Sequence, residues 1–514
     1  MSLDAPIKYS PGSEDADAFR GRYINTCLLD VLQVEVPKPT FNVKGSNELP
    51  HVDGGVSFHL HSCQPDHLTI RPDLMQPIWD RFKSAIDPIL KVLHVPSLES
   101  VITATSNVQP VSKEEEALLF AISYITVRSM RQEECMLELG ESQDVLSAYY
   151  RLGYEQASAR AGFMEATSLM TMQAHVLYLA ALRGEADPRA MWAMMGLAAR
   201  AAQSFGLHRD GGHWEHLSPF SVEMRRRLWW QLLDLDARIS EDNGRSPLIA
   251  ETRFDTQMPL NVHDTDLDKK MHELPDSRTG ITNITISLIR FELTNLLRRV
   301  LLSLEDEDKQ TVKESGESWV TRGQQWIEKT YLINLDTSQP FAYIVATYAR
   351  LVMSKMWLVI YAPSTKRHEA TEIDSDISAK LFMSSVEAIE EGNRLSSDPQ
   401  VSPYTWYFER DVQWHSMIIL LSELCRNSSG CLVDRAWSAI ELLVRDRFLG
   451  EKGSAQQQVL LWQLVRRLLI KARMTRERKF LEESLKGGEV YGCHLKPLDS
   501  HPAIDALLAS ERLA

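Results

Sequence analysis

The chain has 514 residues and a mass of 58.5 kDa, with 44% apolar and 25% charged residues, which is the composition of a globular protein with one large domain or about three smaller ones. It has no apolar run of the roughly 20 residues that span a membrane and no N-terminal secretory signal, so we expect a soluble intracellular protein. The net charge of −14, together with few Lys and Arg in residues 1–50, argues against unaided binding to duplex DNA, which requires clustered positive charge.

The cysteines are scattered along the chain rather than clustered. They form no C-x2-C pair, the arrangement that brings thiolates close enough to share a structural zinc ion. Their spacing is also unlike the dense pattern of small disulfide-bonded secreted domains. We therefore expect free thiols in a reducing compartment. The cysteines are Cys27, Cys63, Cys135, Cys425, Cys431 and Cys493.

Apolar residues at helical spacing predict helices along most of the chain, and there is neither a strand-turn-strand alternation nor a Gly-rich phosphate loop. Residues 1–60 are spotted with proline and predict an extended arm, and residues 255–280 predict an irregular acidic loop. The fold is therefore predicted to be all-α, a large multi-helix bundle or solenoid-like domain. The predicted helices cover residues 72–93, 114–139, 167–182, 187–206, 218–244, 281–304, 314–332, 341–361, 375–396, 411–426, 432–449 and 455–486.

Several predicted helices carry residues that favour helix ends. Ser112 precedes a helix with three glutamates in its first turn, and Gly140 follows it. Asp187 and Ser218 are each followed by proline, which is the usual start of a helix, and Gly206 is a natural helix end. These signals place the ends of three helices.

Large apolar residues on the predicted helices define a core, and the methionine-rich segments predict an internal cavity that could accept a small apolar molecule. The predicted core includes Leu177, Trp192, Phe205, Leu228, Trp229 and Leu232. The methionines expected near the cavity are Met191, Met194, Met195, Met224, Met353 and Met356.

Four stretches of the sequence resemble a known family. They are QAHVLYLAALRG at 173–184, AMWAMMGLAARAAQSFGLHRDG at 190–211, LSPFSVEMRRRLWWQLLDLDARISEDNGRSP at 217–247 and FDTQMPLNVHDTDL at 254–267. They resemble the fungal-specific transcription factor domain, the middle homology region of binuclear zinc-cluster regulators. The resemblance spans roughly residues 55–300, and beyond 300 it fades into generic helices.

This resemblance implies three regions: an arm or linker at 1–60, the middle homology domain at 61–300, and a C-terminal helical region at 301–514 packed on it. Members of the family usually carry two C-x2-C-x6-C halves that hold two zinc ions and bind DNA. This sequence contains no such halves. We therefore predict no cofactor, with zinc expected only if an upstream cluster is missing from this chain.

The residues that carry the resemblance are interpreted as structural. Three consecutive arginines within one helical turn cannot all point one way, so we expect them to pair with acids such as Glu223 and Asp234. The tryptophans are expected to anchor the core, and the Gly-Leu-His-Arg-Asp motif to end a helix. These residues are Gly206, His208, Arg209, Asp210, Arg225, Arg226, Arg227, Trp229, Trp230 and Asp236. An ion-pair network is expected among Asp234, Asp236, Arg238, Glu241 and Arg245.

One candidate metal site lies near the predicted arm, where His59, His61, Cys63 and His67 offer four ligands within nine residues. Imidazole and thiolate groups suit zinc or copper, and alternation along an extended segment would place the first three on one side. The spacing matches no established zinc or copper pattern, and histidines in loops are commonly only polar.

A second candidate is acidic. Asp234 and Asp236 lie near Glu241 and Asp242, and a loop follows with Asp264, Asp266 and Asp268. Two carboxylate clusters facing an apolar cavity could hold Mg²⁺ and a diphosphate, as in an isoprenoid diphosphate cyclase. No DDxxD motif is present.

Two function classes therefore stand. The first is a transcription regulator of the zinc-cluster family without its own DNA-binding module, expected in the nucleus or shared between nucleus and cytoplasm, and controlling a metabolic or secondary-metabolite pathway. Its expected partners are other transcription factors or co-regulators, a small apolar effector and a second copy of the chain, with DNA contacted only indirectly and no membrane. The second is an enzyme on the same scaffold, the Mg²⁺-dependent cyclase. We favour the regulator because the family motifs are intact and the sequence shows no Ser/His/Asp or Cys/His arrangement at a sharp turn.

Overall fold

The computed structural model describes most of the chain from residue 68 onward. The described ranges are 68–165, 168–183, 185–242, 247–250, 253–303, 309–333, 335–361, 375–409, 413–427, 429–447, 459–487 and 501–509. All regular structure within these ranges is helical, which confirms the predicted all-α fold. None of the helices in these ranges is long and apolar enough to cross a membrane.

The described ranges contain seventeen α-helices. The first eight are α1 Pro72–Arg81, α2 Val95–Ser106, α3 Lys113–Ser129, α4 Gln132–Leu139, α5 Gln143–Arg160, α6 Leu169–Leu182, α7 Pro188–Ser204 and α8 Pro219–Asp242. The others are α9 Thr285–Ser303, α10 Lys309–Tyr331, α11 Pro340–Tyr361, α12 Ser375–Ser397, α13 Thr405–Phe408, α14 Trp414–Leu424, α15 Cys431–Arg447, α16 Val459–Gly487 and α17 Pro502–Ala509.

The helix ends predicted from local signals are confirmed. The side chain of Ser112 accepts a hydrogen bond from the backbone N–H of Glu115, and the side chain of Glu115 accepts one from the backbone N–H of Ser112. This reciprocal pair supplies partners for two backbone N–H groups at the start of α3. Asp187 caps α7 in the same way by accepting from two backbone N–H groups. Gly140 and Gly206 both have φ of 76°, the left-handed conformation that glycine adopts without strain after a helix.

Two predicted helices are shorter than expected. The one predicted over 72–93 is α-helical only to Arg81 and continues as a π-helical turn over Phe82–Ile86. Pro88 follows closely, and its missing N–H and bulky ring cannot continue the helical ladder. The helix predicted over 114–139 is interrupted at Met130, whose backbone is extended, so that α4 starts anew. Helices α2, α5, α13 and α17 were not predicted.

The helices stack in successive pairs. Helix α3 packs on α5 and α6, α8 packs on α6, α7 and α9, and α11 joins α9 to α12, from which contacts continue to α14, α15 and α16. A larger core runs from Leu74 to Phe408 and a smaller one from Phe382 to Ile504, so the larger core crosses residue 300. Helix α6 is buried nearly all round, as its uniformly apolar sequence predicts.

The predicted core residues divide into two groups. Leu177, Leu228, Trp229 and Leu232 are fully buried, which confirms that part of the prediction. Trp192 and Phe205 are only half-buried and lie against the margin of the core. The described cysteines, Cys135, Cys425 and Cys431, are free thiols, as expected.

Candidate functional site

Helix α8 carries the arginine and tryptophan motifs and is buried along most of its length. It lies between α6, α7 and α9, so its polar side chains must find partners inside the protein rather than in water. Its three consecutive arginines point in different directions, and each one meets a different segment of the chain.

Arg225 points toward the end of α7. Its Nη2 donates a hydrogen bond of 3.0 Å to the carbonyl oxygen of Phe205. Its guanidinium also lies over two aromatic rings, 4.9 Å from the centre of Phe205 and 5.4 Å from that of Trp214. Burial lowers the pKa of Arg225. This arginine therefore fixes the turn that follows Gly206 against α8.

Arg226 forms a two-pronged ion pair with Asp210. Its Nε and Nη2 each donate to one carboxylate oxygen at 2.8 Å, and Nη2 also reaches Gln257 Oε1 at 2.9 Å. Although burial acts to raise the pKa of Asp210, the hydrogen bonds from Arg226 and from the backbone N–H groups of Gln257 and Gly212 lower it to about 2. Asp210 therefore remains charged and joins α8 to the loop after it.

Arg227 belongs to a fully buried group that we call the α8 ion network, composed of Asp87, Lys91, Glu223, Arg227 and Asp264. Arg227 donates to Glu223 at 3.1 Å and to Asp264 Oδ1 at 2.8 Å. Lys91 Nζ contacts Asp264 Oδ2 at 2.7 Å and also pairs with Asp87. The network contains three carboxylates and two cations, so it has one surplus acidic group.

The surplus is visible in the pKa values. Burial raises the pKa of Asp87 to about 6 and also raises the pKa of Glu223 above its usual range. Burial acts in the same direction on Asp264, but Lys91 and Arg227 outweigh it and lower its pKa to about 2. Asp264 also accepts a hydrogen bond of 3.0 Å from the backbone N–H of Val95. Asp264 is thus the charged centre of the network, and Asp87 is the group that can hold a proton.

Two further carboxylates of α8 pair with arginines of α9. Asp234 pairs with Arg290 and with Arg238 of its own helix, and it accepts a hydrogen bond of 3.1 Å from Thr294. Asp236 pairs with Arg298 at 2.9 Å. Its oxygens also accept the backbone N–H groups of residues 248 and 249 at 3.1 and 3.0 Å, which ties the segment after α8 to the helix.

The remaining motif residues pack against aromatic rings, donate a hydrogen bond to the backbone or form a surface ion pair. Trp229 is fully buried beside the rings of His208 and Phe254. Trp230 is 5% exposed, and its Nε1 donates to the carbonyl oxygen of Gln257 at 2.9 Å. Arg209 pairs at the surface with Asp255 at 2.8 Å.

Part of the pairing agrees with the sequence analysis and part differs from it. Arg227 does pair with Glu223, whereas Asp234 pairs with Arg238 and Arg290 rather than with the arginine triplet. The side chains of Glu241, Asp242 and Arg245 lie outside the described residues.

Sequence reasoning missed several partners, namely Asp87, Lys91, His94, Arg290 and Arg298. For Asp87, Lys91 and Arg290 a usable signal existed, because each is a charged residue between apolar neighbours, in IDPILKVL and in LIRF.

The arrangement differs from the two-cluster metal site that the acidic residues suggested. Asp234 is paired with Arg290 and Asp236 with Arg298. Asp264 is paired with Lys91 and Arg227. Asp266 pairs with Arg278, and Asp268 accepts a hydrogen bond from the backbone N–H of Lys270. Among the residues that the structure describes, no group of three or more acidic, His or Cys side chains is placed to hold a metal ion. The histidine and cysteine candidates His59, His61, Cys63 and His67 lie outside the described residues.

Two cavities bear on the predicted effector site. A small one of about 20 Å³ lies between Gln231, Asp234 and Arg290, and has room for roughly one water molecule. The other is a surface cleft of about 530 Å³ between α10, α11, α12 and α15, and its lining is mainly polar. Neither is the apolar cavity predicted from the methionines. The methionines at 191, 194, 195, 224 and 356 are buried in packed helices, and only Met353 lines the cleft.

Comparison with known proteins identifies the motif-bearing region. A family model described as the fungal specific transcription factor domain matches residues 79–331, which include α8 and all three of its arginine pairings. The match begins within α1 and ends at the last residue of α10.

Several curated proteins are similar to most of the chain. The aurofusarin cluster transcription factor aurR2 of Gibberella zeae is 31% identical over 369 residues, covering 71% of this chain and 55% of that protein. The pyriculol/pyriculariol biosynthesis cluster transcription factor 1 of Pyricularia oryzae is 28% identical, with 71% and 50% covered. The C6 finger domain transcription factor hasF of Aspergillus fumigatus is 25% identical, with 76% and 56% covered. The chain spans about half the length of these relatives.

Proposed function

Because the chain belongs to the family of the fungal specific transcription factor domain, we propose that it is a transcription regulator of the zinc-cluster family that controls a secondary-metabolite gene cluster. It acts in the nucleus, and its helical body responds to an effector or to partner proteins. Contact with DNA is made through other transcription factors or co-regulators, with a homodimer as a further assembly. Transcription is altered by this body rather than by chemistry at α8.

The observation that carries the proposal is the extended similarity to proteins named as transcription factors of biosynthesis clusters, over 71% of this chain. The geometry of α8 agrees with a structural role for the motif. Its carboxylates and Arg226, Arg227 and Arg238 form ion pairs inside the protein, many of them with residues of neighbouring segments, which fixes how α8 meets α7, α9 and the loop at 255–280. A catalytic carboxylate would instead need to face an open site.

A tethering experiment tests the proposal. The chain is fused to a heterologous zinc-cluster DNA-binding domain and expressed in a filamentous fungus that carries a reporter gene behind the matching operator. We expect reporter expression to differ from that of the DNA-binding domain alone. Nuclear accumulation of the chain with a fluorescent tag, without the fused domain, tests the proposed location.

The matched control is the same fusion with Asp264→Asn, which removes the charged centre of the α8 ion network. We expect this variant to lose the effect on the reporter because the helical body is destabilised. A fusion that accumulates in the nucleus at normal levels and leaves the reporter unchanged would contradict the proposed role.

A further inference from the structure

The surface cleft is built mainly by α11 and α12. None of the residues that line it belongs to the family motif. Its volume of about 530 Å³ falls within the range of small-molecule sites, roughly 300–1,000 Å³. The small side chains of Ser354 and Ser384 leave the space open, and both residues are buried at the cleft. Half-buried Trp357 supplies an aromatic wall.

Glu391 lines the cleft, and one of its two carboxylate oxygens is unsatisfied. The residue is only 7% exposed. Its Oε1 accepts a hydrogen bond of 2.6 Å from Arg394, whereas its buried Oε2 has no hydrogen-bond partner. A buried carboxylate oxygen without a donor is costly, so a ligand that donates to it gains free energy that a surface site would not supply.

None of the other charged groups of the cleft donates a hydrogen bond to Glu391 Oε2. Arg435 is committed to Glu390 through two hydrogen bonds of 2.7 and 2.6 Å. Glu387 accepts a hydrogen bond of 3.2 Å from Ser354 rather than from a cation. The lining holds four glutamates, at 328, 387, 390 and 391, and three arginines, at 350, 394 and 435, so the acids exceed the cations by one. Burial raises the pKa of Glu391, although Arg394 acts to lower it, which is consistent with a carboxylate that lacks full compensation.

We propose that the cleft binds a small organic cation whose ammonium or guanidinium group donates to Glu391 Oε2, while its aliphatic part lies against Trp357. The ligand class differs from the apolar effector that the methionines suggested, because the lining is polar and the missing partner is a donor. This inference rests on the proposed function, in which such a ligand is the effector.

Calorimetric titration of the full chain tests the proposal. The probe is agmatine, which carries one guanidinium and one ammonium group, and 1,4-butanediol is the uncharged comparison. We expect saturable binding of agmatine and none of the diol. Glu391→Gln should weaken agmatine binding by about tenfold or more, because a charge-assisted hydrogen bond is replaced by a weaker neutral one. The variant should fold, since Arg394 is half exposed and needs no buried partner.

Glu423→Gln is the matched control. Glu423 is 8% exposed and pairs with Arg426 three residues later, as Glu391 does with Arg394, but it lies on α14 outside the cleft and both its oxygens have donors. Its substitution should leave agmatine binding unchanged. Glu387→Gln serves as a second cleft variant and should also weaken binding. Equal loss in the control, or no loss in either cleft variant, would overturn the assignment of the site.

A separate arm identifies the source of the cation. An acetylated and amidated Gly-Arg-Gly peptide offers the same guanidinium as part of a polypeptide. Binding of the peptide without binding of agmatine would overturn the small-molecule form of the proposal, and binding of neither probe would overturn it entirely. The tethered reporter is scored without an added ligand, so failure of agmatine binding and failure of the regulatory role are separate results.

Discussion

Asp264 shows how one residue can hold distant segments together. It accepts from Lys91 before α2, from Arg227 on α8 and from the backbone N–H of Val95, and Lys91 lies 173 positions away in sequence. Lys91 and Arg227 are both buried, so their charges depend for compensation on Asp264 together with Asp87 and Glu223. The neighbouring Asp266 is different, because it pairs with Arg278, whose side chain is 53% exposed.

We therefore predict that Asp264→Asn lowers the free energy of unfolding by about 3–5 kcal/mol, the range for breaking a buried ion pair. Asp266→Asn, two positions later in the same turn, should cost at most about 1 kcal/mol because its partner is solvated. Urea denaturation followed by circular dichroism measures both. Similar small losses in the two variants would show that Asp264 is not the centre of the network.

Asp87 provides a pH-dependent prediction. Its pKa rises from 3.8 to about 6 on folding because it is buried, so between these values the folded state holds a proton that the unfolded state has released. Its contribution therefore makes the protein less stable as the pH rises from about 4 to 6, by something on the order of 2 kcal/mol. Asp264 acts in the opposite sense and at lower pH, where its lowered pKa makes stability fall with acidification.

Asp87→Asn should remove this dependence. The unfolding free energy of the variant minus that of the parent chain should increase as the pH is raised from 4 to 6 and then level off, because only the parent chain loses this stability. Denaturation at several pH values measures it. A constant difference over this range would mean that Asp87 is already ionised in the folded protein.

At the scale of the helices, Gly153 and Gly323 are a contrasting pair. A Cβ at Gly153 of α5 would lie 2.7 Å from Cζ of Phe120 on α3, so the two helices approach too closely for any side chain there. A Cβ at Gly323 of α10 would meet Met356 at 3.8 Å, an ordinary contact.

Gly153→Ala should therefore destabilise the protein by about 1–3 kcal/mol, the cost of overpacking. Gly323→Ala should stabilise it by up to about 1 kcal/mol, because alanine favours the helical conformation. Thermal or urea denaturation of both variants gives the signs. Stabilisation by Gly153→Ala would mean that α3 and α5 can separate without loss.

Helix ends could be predicted where the signal is local. Ser112, Asp187 and the glycines at 140 and 206 act on the backbone within a few residues, so their effect is readable from the sequence. Helix α2 begins without a side-chain cap and could not be located in this way.

The pairing of Asp264 with Lys91 and Arg227 lay beyond sequence reasoning for a different reason. It depends on which distant segments the fold brings together, and the charges alone allow many combinations. The sequence of α8 alone therefore favours partners within the same helix, and it predicts Glu223 for Arg227 but not Arg290 for Asp234.

At the scale of the whole molecule, charge decides how DNA can be reached. The net charge is −14, and the three consecutive arginines of the family motif, at 225, 226 and 227, are engaged inside the protein. Exposed cations do occur on α16, at Arg467, Lys471, Arg478 and Lys479, but glutamates at 477 and 482 share that helix and are also exposed. Phosphate binding requires a surface where positive charge is concentrated.

We therefore predict that the isolated chain forms no sequence-selective complex with duplex DNA. In a mobility-shift assay at near-physiological salt, promoter fragments and scrambled fragments should behave alike. Weak binding through α16 at low salt should vanish as salt is raised, because such binding depends on counterion release. The same chain fused to a zinc-cluster DNA-binding domain is the positive control and should shift its operator. Selective binding of the unfused chain at submicromolar concentration would contradict indirect contact with DNA, because sequence selectivity requires that the chain itself contacts the DNA bases.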